Sequence, residues 1–263
     1  MKLLDGKTAL IFGVANDHSI AWGIAKAMHE HGAKIALSYA TEALERRVRP
    51  LAETLETDFV HQCDVSSDDE IEALFEKVKE ELGSIDILVH AIAFASQDDL
   101  RGRFIETSRE GFQITMDISA YSFLALARAA RPLMKPGSSM LTLTHYASEK
   151  TFPVYNVMAI AKSALESITR YLAADLGSEG IRVNALSPGP IRTLAAAGVP
   201  GFKTMYREFH KIAPLKENIT IEDVGASAVW ISSGMASKIT GEVLFIDSGY
   251  NILGLTIPEE EYE

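Results

Sequence analysis

Residues 8–39 indicate the fold class most clearly, and their sequence is TALIFGVANDHSIAWGIAKAMHEHGAKIALSY. Two short apolar runs, one at each end, have the composition of buried strands, whereas the residues between them have the period of a helix. The apolar side chains of this helix recur every four residues at Ile20, Ile24 and Met28, and Ser19 directly before it is a preferred N-cap residue. A strand, a helix and a second strand in this order predict a βαβ unit and therefore a parallel sheet.

The same alternation continues along the whole chain. Apolar runs predict seven strands, at about 8–14, 34–39, 58–62, 85–92, 138–145, 181–187 and 242–247. Segments of helical period follow Ser19 and recur at 41–56, 67–82, about 109–134, 155–178 and 222–234. We therefore predict an α/β fold, a Rossmann-like, doubly wound, seven-stranded parallel sheet with helices on both faces.

Composition narrows the class of protein. The chain has 263 residues, 47% of them hydrophobic and 23% charged, which is typical of a soluble globular protein. Its net charge of −11 gives no overall electrostatic attraction to nucleic acid or to an anionic membrane. Cys63 is the only cysteine, so an intrachain disulfide and a cysteine zinc cluster are excluded, and no metal is expected.

The ends of the chain give further expectations. The first residues lack a cleavable signal pattern, and no uncharged apolar run is long enough to cross a bilayer, so we expect a cytoplasmic protein without membrane insertion. Without a linker or an internal repeat, residues 1–256 are expected to form a single domain. Residues 257–263 are then a short acidic C-terminal tail.

Two segments read neither as helix nor as strand. Residues 94–107 follow the fourth predicted strand, and the longer segment 188–220 follows the sixth. Long irregular segments in compact domains are often lids or binding loops. Both lie beyond the carboxyl ends of strands, where open α/β sheets bind ligands. We therefore expect the substrate near these segments, with a substrate loop at 193–212.

The first strand ends in a candidate cofactor turn. Gly13 closes the strand, and Ser19 and Ile20 begin the following helix, whose N-terminal amides suit a dinucleotide pyrophosphate. The turn is not a clean G-x-G-x-x-G, because Ser19 stands between Gly13 and the distant Gly23. An alternative interpretation is therefore that Gly13 is an ordinary turn residue.

Other strand ends carry residues that suit a nucleotide. Asp64, before Val65, has a carboxylate that can accept a hydrogen bond from an adenine amino group, and small residues around Ile92 permit close approach of the ribose. The segment PGPIRT at 188–193 offers backbone groups to the carboxamide. Separately, Asp64 could be only a helix cap and the prolines only a rigid turn. Their joint occurrence is what predicts a cofactor site.

The end of the second strand bears on the choice of cofactor. A ribose-binding acid or a 2′-phosphate-binding arginine would normally stand there, but Ala40 occupies the position. Arg46 and Arg47 lie at least one helical turn further along. We therefore expect NADH rather than NADPH.

The stretch THYASEKTFPVYNVMAIAKSAL, residues 144–165, holds the candidate catalytic groups. Tyr155 and Lys162 are seven residues apart, which places both on one face of a helix, and Tyr146 precedes them in a loop. A cation beside a phenol lowers its pKa and makes it a better donor to an oxygen that gains negative charge. Alone, such a pair is as readily an amphipathic surface feature, and only its place after the fifth strand favours catalysis.

The order of elements, Asp64, Asn184 in RVNALSPGPI, and a Tyr/Lys helix after the fifth strand together resemble the short-chain dehydrogenase/reductase superfamily. Most members place the tyrosine four residues before the lysine. Here that position, four before Lys162, is Met158, and the phenol stands one turn earlier at Tyr155.

This Tyr-x6-Lys spacing, the cofactor turn and the PGPIRTLAA segment resemble the divergent enoyl-acyl-carrier-protein reductases of bacterial type II fatty-acid synthesis over residues 4–255. The resemblance implies that Tyr155 stabilises an enolate oxygen, that Lys162 holds the nicotinamide ribose, and that Tyr146 flanks the acyl pocket. Many members have ten residues from the first tyrosine to the second, against nine here, which leaves the placement of Tyr146 open.

The resemblance also implies binding residues. Those expected at the cofactor are Gly13, Ser19, Ile20, Ala40, Asp64, Val65, Ile92, Lys162, Ile191, Arg192, Thr193, Leu194 and Ala195. Those expected at the substrate are Phe94, Ala95, Tyr146, Tyr155, Met158, Ala195, Phe202 and Met205. Two other functions stay open from sequence: a reductase of 3-oxoacyl or other carbonyl substrates, and a catalytically silent nucleotide-binding regulator.

The implied partner is an acyl-carrier protein that carries a 2-enoyl chain. Such a partner is acidic, and a basic patch of Arg192, Lys203, Arg207 and Lys211 surrounds the predicted substrate loop, although these could equally be ordinary solvated charges. The resemblance also suggests a homotetramer, with the apolar faces of the helices at 109–134 and 155–178 as candidate interfaces.

Overall fold

A computed structural model describes residues 2–153, 155–199 and 201–254, and in this part of the chain it contains one sheet of seven parallel strands. The strands are β1 (Thr8–Phe12), β2 (Lys34–Tyr39), β3 (Val60–Gln62), β4 (Ile87–His90), β5 (Ser139–Leu143), β6 (Arg182–Pro188) and β7 (Val243–Ile246). Their spatial order is β3-β2-β1-β4-β5-β6-β7, and every neighbouring pair is parallel. The order reverses between β1 and β4, which opens a crevice at the carboxyl edge.

Helices cover both faces of the sheet. They are α1 (Ile20–Glu30), α2 (Glu42–Thr54), α3 (Asp68–Lys77), α4 (Gln97–Leu100), α5 (Arg109–Met116), α6 (Ser122–Ala130), α7 (Asn156–Leu176), α8 (Phe202–Ile212) and α9 (Ile221–Ser232). The predicted fold class is therefore confirmed.

Each face of the sheet has its own apolar core, and β1 shows why. Ala9 and Ile11 point into one cluster, which contains α1 and α9, whereas Leu10 and Phe12 point into the other, which contains α3, α6 and α7. Successive side chains of a strand point to opposite faces, so a strand buried on both sides is apolar throughout. This is the physical origin of the unbroken apolar runs in the sequence.

Several predicted boundaries are wrong. The first strand ends at Phe12 rather than at residue 14, because Gly13 has a φ of 101° that leaves the strand region. The fourth and fifth strands are also shorter at both ends than their apolar runs. The predicted tail at 257–263 lies outside the described residues.

The helix predicted at about 109–134 is confirmed, but it is not uniform. The chain is helical from residue 109 to 133, and α5 passes through a π-helical stretch at Asp117–Tyr121 into α6, which a 3-10 turn at Arg131–Leu133 follows. Within the π turn, the Ser119 hydroxyl both accepts from the Phe94 backbone N–H (2.9 Å) and donates to the Phe94 carbonyl (3.0 Å). The irregularity therefore fixes the start of the segment that follows β4.

The two segments predicted to be irregular contain helices. Residues 94–107 include α4 and a 3-10 turn, and 188–220 includes α8. The apolar residues of α8 lie on one side, and Phe209 among them is buried in the core beneath β6. Within residues 2–153, 155–199 and 201–254, no helix is long and apolar enough to cross a membrane.

Candidate active site

The candidate site lies at the carboxyl edge of the sheet, and Gly13 marks its floor. A β-carbon on Gly13 would stand 2.1 Å from the carbonyl oxygen of Ala91, which follows β4. Its φ of 101° is also in the region that favours glycine. Backbone from the two strands on either side of the reversal therefore approaches here more closely than any side chain would allow.

Ser19 shapes the turn between β1 and α1. Its hydroxyl accepts from the backbone N–H groups of Ala15 and Asn16 (both 3.0 Å) and donates to the Asn16 carbonyl. Ser19 occupies the N-cap position of α1, but the expected side-chain cap is wrong, because the hydroxyl is engaged in the turn instead. A tight turn that delivers a helix N-terminus to the sheet edge fits a dinucleotide pyrophosphate.

Asp64 lies in the loop after β3. One carboxylate oxygen accepts from the backbone N–H (2.9 Å) and hydroxyl (2.8 Å) of Ser66. The alternative reading of Asp64 as the helix cap is wrong, since the hydroxyl of Ser67 caps α3 by accepting from the Glu70 N–H (3.2 Å). Val65 beside it is buried in the core, so its backbone rather than its side chain is what a nucleotide could contact.

Other expected cofactor residues frame the same edge. Ala40 is exposed at the end of β2, and Ile92, partly buried, packs against the core just after β4. Ile191 is buried, Thr193 accepts from the Ala196 N–H through its hydroxyl (3.0 Å), and Leu194 is exposed.

Tyr155 stands at the start of α7 rather than within it, so the prediction that both Tyr155 and Lys162 lie on one helix is wrong by one residue. The His145 ring stacks on the Tyr155 ring, with centroids 4.6 Å apart and planes inclined by 26°. Burial raises the pKa of the Tyr155 phenol. The group therefore stays protonated at neutral pH and remains a hydrogen-bond donor.

Lys162 is buried on α7, and its ammonium group donates to the Leu143 carbonyl at the end of β5 (2.7 Å). Burial lowers the pKa of Lys162 to about 8, and the charge of Glu166 opposes that shift. The expected lowering of the Tyr155 pKa by Lys162 is wrong in this arrangement, because burial dominates and raises it.

Tyr146 lies in a 3-10 turn after β5, and its hydroxyl donates to the Asn251 carbonyl (2.9 Å). Together with Met205 of α8, it lines a cavity of about 110 Å³. The remaining walls include aromatic side chains of Phe152, Phe209 and Tyr250. Tyr146 thus faces an apolar space under the predicted substrate loop.

A second apolar group surrounds Tyr155. Met158 is buried with Leu100 and Ala161, and Ala95 and Tyr155 pack against them. The structure therefore brings two other expected substrate residues, Ala95 and Met158, into the same cluster as Tyr155. Phe94, directly before, keeps 47% of its surface exposed.

The described part of the predicted substrate loop contains a 3-10 turn at Ala196–Gly198 and α8. Arg192 lies over the ring of Tyr206, with its guanidinium carbon 4.3 Å from the centroid, and Phe202 stands one helical turn before Tyr206. Ala195 is exposed in the stretch before α8. Met205 is the expected substrate residue of α8 that lines the cavity with Tyr146.

Sequence reasoning missed three polar residues beside the expected ones. His145 stacks on Tyr155, Asn156 directly follows it, and Glu166 accepts a hydrogen bond from the Thr144 hydroxyl (2.6 Å). Glu166 is four residues after Lys162 and so on the same helical face, a spacing that could have revealed it. His145 and Tyr155 are ten residues apart in the sequence, and no periodic pattern indicates that their rings stack.

The assembled groups can polarise a carbonyl oxygen at the edge of a dinucleotide site. A protonated phenol points from the start of α7, and a buried ammonium follows two turns later. Hydrogen-bond donors held in a site of low dielectric stabilise an oxygen that gains negative charge. The apolar side chains of Leu100 and Met158 beside Tyr155 suit an aliphatic substrate.

Comparisons with known proteins point the same way. The family model described as Enoyl-(Acyl carrier protein) reductase matches residues 13–251. The chain is similar to the NADH enoyl-acyl-carrier-protein reductase of Bacillus cereus, with 51% identity over 256 residues that cover 97% of this chain and 100% of the relative.

Solved structures of the same kind superpose closely. The Bacillus cereus reductase, solved with NADP+ and indole naphthyridinone, has a TM-score of 0.95 at 51% identity and covers 97% of this chain and 100% of that chain. The reductase of Anaplasma phagocytophilum in complex with NAD has a TM-score of 0.93 at 45% identity, with 97% of each chain covered.

Proposed function

The chain belongs to the enoyl-acyl-carrier-protein reductase family of the short-chain dehydrogenase/reductase superfamily, and from this premise we propose its reaction. It is an NADH-dependent oxidoreductase that reduces the trans-2 double bond of enoyl-acyl-carrier-protein thioesters. The product is the saturated acyl thioester, and the step is the last of each fatty-acid elongation cycle.

The observation that carries the proposal is the position of the phenol. Met158, four residues before Lys162, occupies the usual tyrosine position of the superfamily and is buried among apolar side chains. The phenol of Tyr155 stands instead at the start of α7. This displacement suits an oxygen that two carbons separate from the carbon that receives hydride, as in a conjugated thioester.

In this mechanism the chain's own groups stabilise charge on the thioester oxygen. Bound NADH supplies the hydride that reaches the β-carbon of the enoyl group. The Tyr155 hydroxyl donates to the thioester oxygen as it becomes an enolate, and its raised pKa keeps the proton on the phenol. Lys162, below its pKa of about 8, adds positive charge and holds the nicotinamide ribose. The enolate then takes a proton from solvent at the α-carbon, which gives the saturated thioester.

We assign the cofactor to the carboxyl edge between β1 and β4. The turn from Gly13 to Ile20 would receive the pyrophosphate, Asp64 and Val65 the adenine, and Ile92 the ribose. The run of Ile191, Arg192, Thr193, Leu194 and Ala195 would bracket the nicotinamide. Ala40 at the end of β2, with neither acid nor arginine at its own position, favours NADH over NADPH.

We place the acyl chain between Tyr155 and α8. Phe94, Ala95 and Met158 form one wall, and the substrate loop 193–212, through Ala195, Phe202 and Met205, would close over the chain and exclude water. Tyr146 flanks the chain at the cavity beneath α8. The contact of Tyr155 with Ala95 and Met158 supports this placement.

An acyl-carrier protein delivers the substrate, and we propose that α8 contributes to its docking surface. The structure weakens part of the expected basic patch: Glu208 pairs with Arg207 (2.7 Å) and with Lys211 (2.8 Å). Lys203 remains exposed at the start of the helix. The double variant Lys203→Glu with Arg207→Glu should raise KM for acyl-carrier-protein substrates but not for acyl-CoA substrates; an equal effect on both would contradict this docking site.

We propose that the protein is a cytoplasmic homotetramer whose residues 1–256 form one domain. Large apolar side chains are exposed along α5, the π turn, α6 and α7; they are Phe112, Ile114, Tyr121, Leu124, Ile160 and Tyr171. A second copy would cover them, since isolated soluble chains rarely leave such a surface in water. Sedimentation velocity at micromolar concentration should show four chains, and a monomer would contradict the proposal.

A steady-state assay tests the proposed reaction. Purified protein should oxidise NADH when given crotonyl or longer trans-2-enoyl thioesters, and should do so better than it oxidises NADPH. No oxidation with either cofactor would contradict the function. Tight NADH binding without turnover would favour the catalytically silent regulator instead.

A further inference from the structure

Asn156 joins the catalytic helix to the loop after β4, and the proposed reaction gives it no role. It directly follows Tyr155 and is the first residue of α7. Its φ is 41°, in the left-handed region that side chains other than glycine rarely adopt, and that asparagine tolerates best. The chain therefore turns sharply between the phenol and the helix.

The Asn156 side chain reaches the segment around α4. Its amide nitrogen donates to the carbonyl oxygens of Asp99 (3.4 Å), Leu100 (3.3 Å) and Gly102 (3.4 Å). Two N–H bonds are thus shared among three acceptors, which are the last carbonyls of α4 and of the turn after it. These carbonyls have no further turn of helix to bond them.

The same segment is tied to the site at two more places. Asp99 accepts from the Ser108 backbone N–H (2.8 Å) at the start of α5, and a β-carbon on Gly111 would collide with the Asp99 carboxylate. Leu100 is buried against Met158 and Ala161 of α7, next to Ala95 and Tyr155. The segment that carries the proposed acyl wall is therefore held between α5 and α7.

We propose that Asn156 is a positioning residue: its amide fixes the segment 94–102, which carries Phe94 and Ala95 of the acyl wall, relative to the Tyr155 phenol, and so sets the distance between these two side chains and the oxyanion donor. Only an amide fits this role. A carboxylate of the same shape would oppose three carbonyl oxygens, and glycine would keep the left-handed backbone but lose the donor. This inference rests on the proposed function.

Three variants separate the amide from the backbone. Asn156→Asp keeps the shape, Asn156→Gly keeps the left-handed backbone, and Asn156→Ala loses both. We expect Asp and Gly to lower kcat for crotonyl thioester by about tenfold, as for a donor displaced by a fraction of an ångström. Ala should lower it at least as much. The dissociation constant for NADH, measured by fluorescence titration, should stay within twofold for Asp and Gly.

A backbone-only role predicts another order. In that case Asn156→Gly would match the wild type in kcat, Asn156→Asp would nearly do so, and only Asn156→Ala would lose activity; this result would overturn the inference. Glu56→Ala is the matched control, because Glu56 also has a positive φ (52°) but is exposed at the end of α2. It should lose stability without any change in kcat. If the wild type itself does not turn over enoyl thioesters, the proposed function fails, whatever the Asn156 variants do.

Discussion

Tyr155 is the residue on which the chemistry depends most. Its phenol is partly buried, remains protonated and stacks on a neutral imidazole, so its role toward the substrate is to donate a hydrogen bond. Tyr155→Phe should lower kcat for enoyl thioesters on the order of 10²-fold while leaving NADH affinity nearly unchanged. The control is Tyr171→Phe on the same helix, which keeps the apolar ring of the proposed subunit interface and should leave kcat unchanged. Equal rates for Tyr155→Phe and wild type would contradict the assigned role.

Lys162 gives the site a pH dependence. Burial lowers its pKa to about 8, so the ammonium group loses its charge as the pH rises through this value rather than near that of an exposed lysine. The kcat/KM for NADH, which reports groups of the free enzyme, should therefore fall above an apparent pKa near 8. Lys162→Ala should lower this ratio at every pH and abolish the step. A wild-type profile flat to pH 10 would contradict it.

The sequence predicts which residue types lie at the site better than it predicts which of their atoms are in contact. Tyr155, Met158 and Ala95 come together as the resemblance implies, although Lys162 contacts a backbone carbonyl and not the phenol. The expected lowering of the Tyr155 pKa by Lys162 is wrong because the spacing of two side chains on a helix gives their directions but not the dielectric around them. Burial, which the spacing cannot show, sets both pKa values.

At the scale of elements, the crossing of α1 and α9 positions the cofactor turn. A β-carbon on Gly225 of α9 would stand 2.6 Å from the Gly23 carbonyl oxygen of α1. Gly225→Ala should therefore push α1 away, lower the free energy of unfolding by about 1–3 kcal/mol as overpacked sites do, and raise KM for NADH.

The control for that variant is Gly177→Ala. Gly177 follows α7 with helical dihedrals, and its β-carbon would meet no atom within 4 Å. It should be neutral or stabilising by up to ~1 kcal/mol, since alanine restricts the unfolded chain. Urea unfolding measures both variants; equal stability of Gly225→Ala and wild type would contradict the close crossing.

Elements with a strong period were predictable and interrupted ones were not. The strand at 34–39 matches β2, because charged or turn residues bound its apolar run. By contrast, the sequence does not predict α8, because Gly198, Gly201 and two prolines surround it. The π turn before α6 forms hydrogen bonds with the Phe94 backbone, and no local sequence pattern indicates them.

At the scale of the whole molecule, two histidines limit acid stability: His90 is fully buried and His145 is partly buried. Burial lowers the pKa of His90 to about 3 and that of His145 to about 4. Both native-state pKa values lie below the value near 6.5 of a histidine in the unfolded chain. Between these values the unfolded chain binds protons that the native state does not bind, so the free energy of unfolding decreases as the pH falls from 6.5 toward 4. Each site should contribute a loss of about 2 kcal/mol at pH 5 relative to pH 7.5.

His145→Phe tests that contribution while it preserves an aromatic ring against Tyr155. Urea unfolding at pH 7.5 and pH 5 should show a smaller loss of free energy for this variant than for the wild type. An identical loss in both proteins would show that His145 does not titrate as its burial requires.

The overall architecture followed from the sequence because buried parallel strands must be apolar on both faces, as β1 shows. The assembly of subunits and the docking of a partner did not follow from the sequence, because an exposed apolar residue such as Leu124 or Tyr171 recurs with the same helical period as a core residue. The order of elements predicts a ligand site at the carboxyl edge beside the paired strands β1 and β4, where the strand order reverses, and the candidate site lies there.

Reduction of a carbon–carbon double bond conjugated to a thioester distinguishes the proposed enzyme from a carbonyl reductase. NADH oxidation should be compared with crotonyl thioester and with acetoacetyl thioester, and the product identified by mass spectrometry. We expect rapid oxidation with crotonyl thioester only, with butyryl thioester as the product. Oxidation with acetoacetyl thioester that yields the 3-hydroxyacyl product, and none with crotonyl thioester, would contradict it.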